Sequence, residues 1–186
     1  MRQVVVIDAQ NDFISGSLAP ICAEDVADKI VLFLSGLTPD DKVFYTQDWH
    51  DDGHCSFLKN GGEWQTHCLA GSHGASIYGG FSGVMHSPNL NNSFKKARHN
   101  DKEEYSCFYA SNEAGVKFHQ ALDRDTDVEL VGFVSEYCVL NSALALIEAG
   151  FRVVVYENLC AYISRDGHKD ALKQLRDAGA RLGCVI

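Results

Sequence analysis

Two sets of residues in this chain have types and spacings that can do chemistry. The first is in and after the stretch "FYTQDWHDDGHCSF", where Asp48, His50 and His54 follow a hydrophobic run and His67 and His73 come soon after. Carboxylate and imidazole together are the donors that zinc, iron and manganese take as divalent ions. Asp48 and His50 stand at alternate positions on a loop, so both can face one ion, and His54 and His67 could complete its shell. The plainer explanation is a polar loop whose histidines make ordinary hydrogen bonds. Structural zinc through Cys55 and Cys68 ranks below both, because neither cysteine belongs to a C-x₂-C pair.

The second set is dispersed. Asp8 closes an apolar run, Lys96 lies near the end of a weaker one, and Cys138 follows a strong one inside "GFVSEYCV". A thiol at the start of a helix feels the positive end of the helix dipole, and an ammonium nearby adds to it. Both effects are expected to lower its pKa from roughly 8.5 toward neutrality and enrich the thiolate. An acidic side chain beside it can then shuttle protons. Singly, each residue has an ordinary role: a small buried thiol, a turn aspartate, a solvated lysine.

These residues need elements that bring them together. "QVVVIDA" (3–9), "KVFYT" (42–46), "SFKKA" (93–97), "DVELVGF" (127–133), "RVVVYE" (152–157) and "ARLGCVI" (180–186) read as strands. Between them, 23–37, 112–122, 136–150 and 165–179 have helical periodicity, with Val26, Ile30, Leu34 and Leu37 on one face of the first. Gly150 ends the third, as glycine commonly does. Apolar strands alternating with helices predict an α/β fold, a doubly wound and mostly parallel sheet flanked by helices. One domain over 1–186 is expected. In such a sheet ligands bind beyond the carboxyl ends of the strands, where Asp8, Lys96 and Cys138 all fall. Segment 47–92 breaks the alternation, and loops of that length inside a compact domain are usually functional.

Composition narrows the classes. A net charge of −9 with no basic run is unsuited to nucleic acid or an anionic membrane. The hydrophobic share of 46% with only 3 prolines speaks against disorder. No apolar run approaches the roughly 20 residues that span a bilayer, and the N-terminal residues have no signal-peptide pattern. The 7 cysteines are odd in number and scattered, which favours reduced thiols and a cytoplasmic location.

In this order and spacing, five segments resemble the nicotinamidase/pyrazinamidase group of the isochorismatase-like cysteine hydrolases, over nearly the whole chain. They are "VIDAQNDFISGSLA", "TQDWHDDGHCSF", "WQTHCLAGSHGA", "KKARHNDKEEYSCF" and "GFVSEYCV". The resemblance implies Asp8, Lys96 and Cys138 as the catalytic residues, and the distance to Tyr105 selects Lys96 over Lys95. It implies an oxyanion hole from the backbone N–H groups of Val134 and Cys138, with a cis peptide between Phe133 and Val134. It implies Phe13, Trp64, Tyr105 and Tyr137 as pocket walls, and Asp48, His50, His54 and His67 around one divalent metal, zinc first with iron or manganese as the others. The implied reaction is hydrolysis of nicotinamide to nicotinate and ammonia through a cysteine thioester, in NAD salvage, with pyrazinamide as a second substrate. The implied partner is the small-molecule substrate alone, with room for a homo-oligomer. The chain departs from the family pattern at Gln65, at Ala97, at Ser135-Glu136 in place of Thr-Asp, and at Ala145. These bear on pocket shape more than on reaction type. The rival readings are a cysteine amidohydrolase for another small amide and a non-catalytic metal-binding domain on the same scaffold.

Overall fold

The structure is a computed structural model and describes residues 1–185. Six strands form one sheet: β1 (Gln3–Ile7), β2 (Lys42–Asp48), β3 (Ser93–Lys96), β4 (Val128–Gly132), β5 (Val153–Cys160) and β6 (Arg181–Gly183). Their order is β3-β2-β1-β4-β5-β6, and every neighbouring pair is parallel. The chain winds outward one way from β1 to β3 and the other way from β4 to β6. The crevice at β1/β4 is therefore the switch point where such sheets bind ligands.

Alternating side chains build a core on each face of this sheet. Val4 and Val6 of β1 pack with Val43 and Tyr45 of β2 and with Val26, Ile30 and Leu34 of α2 (Ala23–Ser35). Val5 and Ile7 face the other way, toward Leu146 of α4 (Leu140–Glu148) and Leu172 and Leu175 of α5 (Arg165–Asp177). Two short helices complete the set, α1 (Asn11–Ile14) and α3 (Phe118–Ala121). No helix among the described residues is long and apolar enough to cross a membrane.

The expected doubly wound parallel sheet is thus observed, with three local differences. The helix expected over 112–122 shrinks to α3. Asn112 Oδ1 accepts the N–H groups of Ala114 (3.1 Å) and Val116 (3.0 Å), and Gly115 sits at φ +78°, so a side-chain-stabilised turn displaces the helix. The fifth strand runs on to Cys160, where Gly132 pairs with it after a slip in the ladder. The last strand ends at Gly183, and the Ile186 end of the expected 180–186 strand lies outside the described residues.

Gly132, at the end of β4, is required by close approach. Its φ is +128°, and a Cβ there would lie 2.2 Å from the carbonyl oxygen of Ile7. Gly150 closes α4 at φ +85° and leaves Phe151 N–H to reach Leu146 O at 3.0 Å.

The long 47–92 connection is folded back onto the sheet rather than loose. Gln10 Nε2 donates to Asp48 O and Ala75 O, both at 2.8 Å, and Gln47 Nε2 donates to Ala75 O at 2.9 Å. Asp12 Oδ2 accepts Cys68 N–H at 2.7 Å.

Candidate active site

The strand ends bring Asp8, Asp48, Lys96 and Cys138 to one point. Asp48 and Lys96 are the last residues of β2 and β3 and are paired in register. Asp8 follows β1 at φ 45°. Cys138 lies in a π-type turn, Ser135–Val139, that leads into α4; such turns are frequent at functional sites. Lys96 Nζ is 2.5 Å from Asp48 Oδ1, 3.0 Å from Asp8 Oδ2 and 3.5 Å from Cys138 Sγ. All four residues are buried. Thr46 Oγ1 donates to Asp8 Oδ1 at 2.7 Å, and Asp8 N–H donates back to that hydroxyl at 3.1 Å. Lys95 points elsewhere: it pairs with Glu113 at 2.6 Å and lies 3.7 Å from the centre of the Trp49 ring.

One buried ammonium thus serves two carboxylates and a thiol, and burial sorts their protons. Burial works to raise the pKa of Asp48, but Lys96 and the neighbouring His50 overcome it and hold this carboxyl well below the usual range. For Asp8 burial wins over Lys96, Asp48 adds repulsion, and its pKa rises. Burial also opposes the charge of Lys96, yet Asp48 and Asp8 keep it firmly protonated. The expected low-pKa thiolate is not what this site forms. Burial pushes the Cys138 thiol up, Lys96 pulls the other way and loses, and Asp8 and Asp48 add to the rise. The resting site holds a thiol, with a carboxyl of heightened proton affinity beside it. Two carboxyls pushed apart in this manner divide the labour: Asp48 stays charged, and Asp8 can carry a proton.

Beside this cluster is a set of metal-type donors. One ligand atom from each of Asp48, His50 and His67 lies within 4.8 Å of the other two. His50 Nδ1 meets Ala97 O at 3.1 Å, and His67 Nδ1 meets Gln65 O at 2.8 Å. A carbonyl only accepts, so both Nδ1 atoms donate, which in the neutral imidazole leaves Nε2 as the ligating atom. His50 Nε2 is buried without a hydrogen-bond partner, 3.7 Å from Asp48 Oδ2. Burial lowers the pKa of His67, which keeps its ring neutral as a ligand must be. This donor set fits a divalent transition metal.

His54 stands next to the trio rather than inside it. Its ring centre is 4.1 Å from that of His50, and its Nε2 is buried without a partner. Its Nδ1 lies 2.8 Å from Ser56 Oγ and accepts Ser56 N–H at 3.2 Å. His73, Cys55 and Cys68 belong to neither group of converging donors among the described residues.

A cavity of about 330 Å³ opens over the cluster. Asp48, His67, Val134 and Cys138 line it, as do Phe13, Trp64, Tyr105 and Tyr137. The aromatic wall is cross-braced: Trp64 Nε1–H donates to Tyr105 OH at 3.1 Å, and the Tyr137 ring lies 5.0 Å from Trp64 and 5.2 Å from Tyr105. The Phe133–Val134 peptide is cis, and the Val134 carbonyl accepts Tyr137 N–H (3.2 Å) and Val139 N–H (3.1 Å).

Residues 2–185 match the isochorismatase domain. The chain belongs to the isochorismatase family. Within that family it is 30% identical over 195 residues to a nicotinamidase/pyrazinamidase of Mycobacterium tuberculosis, covering 99% of both chains. It is 24% identical over 208 residues to a nicotinamidase of Escherichia coli, covering 97% of this chain and 93% of that one. Among solved structures, PnC1 from L. infantum in complex with nicotinate superposes with a TM-score of 0.84 at 30% identity, covering 99% of this chain and 92% of the other. A pyrazinamidase of Pyrococcus horikoshii in complex with zinc also gives 0.84, at 25% identity and 99% coverage of each.

Several residues of this isochorismatase-family site were not picked out from the sequence. Thr46 orients Asp8, and Gln10 clamps Asp48 from both sides, donating to its carbonyl and accepting its N–H at 2.8 Å. A signal existed for Thr46: it is a polar residue in a buried strand, two positions before Asp48 and so on the same face. Nothing local marks Ile163 or the segment Ser17–Ile21, which also line the cavity.

Proposed function

We propose that this chain is a nicotinamidase, a metal-dependent cysteine amidohydrolase that converts nicotinamide and water to nicotinate and ammonia. The observation that carries the reading is the convergence of Asp8, Lys96 and Cys138 with the Asp48–His50–His67 donors, from which Asp48, His67 and Cys138 line one aromatic cavity. The similarity to nicotinamidases over almost the full length supports it. Residues 1–186 work as one hydrolase domain, placed in cytoplasmic NAD salvage, with pyrazinamide as a second substrate.

The mechanism follows from the proton inventory. Asp8, with raised proton affinity, takes the Cys138 proton as sulfur attacks the carboxamide carbon. Proton transfer is concerted with attack, so no free thiolate has to persist beside two carboxylates. The N–H groups of Val134 and Cys138 receive the developing oxyanion, and loss of one such donor typically costs about 3 kcal/mol of barrier. Asp8 returns the proton to the departing ammonia and leaves a Cys138 thioester. It then takes a proton from the water that attacks the thioester and passes it to the Cys138 sulfur as the C–S bond breaks, which restores the thiol and releases nicotinic acid, ionised to nicotinate in solution. Lys96 stays protonated throughout and holds the two aspartates close despite their like charge.

Asp48, His50 and His67 would hold the metal, with His54 as a fourth donor in the tautomer whose Nδ1–H donates to Ser56 Oγ and whose Nε2 carries no hydrogen. When bound, the ion supplies a Lewis-acid position for a ring nitrogen of the substrate. Phe13 and Trp64 bracket the ring.

The test compares nicotinamide with benzamide by ammonia release. The two have nearly the same shape, and benzamide lacks only the ring nitrogen. A site built around a polar atom rejects an analogue lacking it by a factor on the order of 10⁴ in favourable cases, whereas an apolar slot shows little preference. A steep fall in kcat/KM for benzamide is expected, narrowing in Asp48→Ala. Equal values for the two amides would replace this reading with a metal-independent hydrolase of another small amide.

A further inference from the structure

One side chain ties together the two turns that frame the pocket, and the reaction above leaves it without a role. Glu136 stands two positions before Cys138, in the same π-type turn. Its Oε1 accepts the backbone N–H groups of Ile163 and Ser164, each at 2.9 Å, and its Oε2 accepts Ser135 Oγ–H at 2.9 Å. Ile163 lines the cavity, and Ser164 caps α5 by accepting Gly167 N–H at 3.0 Å. Tyr162, between them and the sheet, bridges antiparallel to Ile21, so the same turn also holds the cavity-lining segment Ser17–Ile21. Backbone bonds cross-link the turns as far as Ala161, through Ala161 N–H to Gly132 O (3.0 Å) and Ser135 N–H to Ala161 O (2.9 Å). Beyond Ala161 the link passes to the Glu136 carboxylate.

A Cβ on Gly167 would lie 3.0 Å from Glu136 Cγ and 3.1 Å from its Oε1, so the glycine in the first turn of α5 leaves room for this side chain. A carboxylate accepting backbone N–H groups also makes stronger bonds than a neutral acceptor does.

We propose that Glu136 is a positioning residue that latches the Ile163 wall of the pocket to the nucleophile turn and so sets substrate affinity rather than the chemical step. The proposal rests on the hydrolase reading above.

The hydrogen-bond chain continues past Ser135 and offers a signature. Ser135 Oγ meets His168 Nδ1 at 2.9 Å, and the His168 ring lies 4.8 Å from that of Tyr162. An ionised Glu136 only accepts, so Ser135 Oγ–H points to it and His168 Nδ1–H points to Ser135. That order holds whether His168 is neutral or protonated, because Nδ1 donates in both states. Gln at position 136 reverses it. The amide oxygen keeps Ile163 and Ser164, but the new NH₂ donates to Ser135 Oγ, whose own hydrogen then keeps a partner only by turning to a bare His168 Nδ1. A neutral ring offers that partner, and a protonated ring leaves the hydroxyl hydrogen without one. Burial favours the neutral ring, while Glu136 and Glu157 favour the protonated one. Tyr162 is the remaining titratable group against the ring, and Arg165, Asp166 and Lys169 on α5 are exposed.

The experiment measures kcat and KM for nicotinamide in metal-loaded wild type, Glu136→Ala and Glu136→Gln from about pH 5 to pH 8, the range in which histidine titrates. Amide hydrogen exchange at Ile163 and Ser164 is followed in the same proteins. Glu136→Ala should raise KM about tenfold, the size of one lost charge-assisted hydrogen bond, with kcat within about twofold of wild type. Glu136→Gln should match wild-type KM at the upper pH and rise relative to it as His168 protonates. Exchange at both amides should quicken in the Ala variant and not in the Gln variant. Unchanged KM with unchanged exchange in Glu136→Ala overturns the proposal, as does a fall in kcat at constant KM. Should Glu136→Ala not fold, Glu136→Gln decides alone: a KM ratio to wild type that ignores pH overturns it. Exchange needs no turnover. If wild type released no ammonia while exchange followed the expected pattern, the hydrolase reading would fall and the latch would stand.

Discussion

Cys138 and Asp8 share one proton between them, and their burial decides who holds it. Both pKa values are pushed up by desolvation, so the thiol is protonated at rest and the carboxyl is a better base than an ordinary aspartate. Cys138→Ala should abolish ammonia release without loss of fold, and a slow variant should show the thioester as a mass shift on the intact protein. Asp8→Asn and Lys96→Ala should each lower kcat by at least about 10², the lower range for a positioned acid–base group. Their effects should not add to that of Cys138→Ala, since the three act as a unit. The pH profile carries a sign of its own. Asp8 must be unprotonated to accept the thiol proton, so kcat/KM is retained above its pKa and lost as pH falls through it. Because that pKa is raised, the acid limb should lie above the ordinary carboxylate range rather than within it. A limb at or below the pKa of a free aspartate would remove Asp8 from this role.

At the scale of elements, the site depends on how closely β1 and β4 approach at their last paired residues, Ile7 and Gly132. Gly132 touches the Ile7 carbonyl where any Cβ would clash, at a φ that L side chains avoid. Gly132→Ala should destabilise by about 2 kcal/mol or more through strain and overlap together, lowering Tm by roughly 4–8 °C in a chain of this size. Gly150→Ala makes the comparison, since its φ is also positive but nothing lies within 4 Å of the added carbon. Its cost should be about 1 kcal/mol, the backbone term alone. Thermal unfolding of the two variants side by side measures the difference, and equal Tm losses would mean that the β1–β4 contact yields without cost.

At the scale of the whole molecule, the metal donors tie the end of β2 to the long 47–92 connection. His50 and His67 belong to that connection and Asp48 to the sheet, so an ion bound by all three links the two. Binding to the folded state alone stabilises by about 2.7 kcal/mol when free metal is 100 times Kd. Purified protein should carry about one equivalent of a divalent metal, and chelation should lower Tm. His50→Ala and His67→Ala should lower metal content and blunt that Tm response, while Cys68→Ala should leave both unchanged. Metal kept in the two histidine variants and lost from Cys68→Ala would point to a structural zinc site instead.

The sequence by itself determined the parallel sheet, because strand and helix patterns are local: Val4 and Val6 alternate with Val5 and Ile7, and apolar residues recur along 23–37. It also determined which residue types fall at the strand ends, since Asp8, Asp48, Lys96 and Cys138 each follow their own apolar run. The family resemblance added roles to those positions. Periodicity alone overextended the helix at 112–122, where the Asn112 side chain competes with the helix for backbone N–H groups. Only the tertiary structure decided the proton affinities. A helix-end argument lowers the Cys138 pKa, but the observed cluster buries it beside two carboxylates from distant strands, and desolvation outweighs Lys96. Tertiary structure likewise decided that His54 lies beside the Asp48–His50–His67 trio, that Gln10 and Thr46 orient the two aspartates, and that Glu136 reaches across to Ile163 and Ser164. Each of these depends on distances between segments far apart along the chain, which no local pattern records.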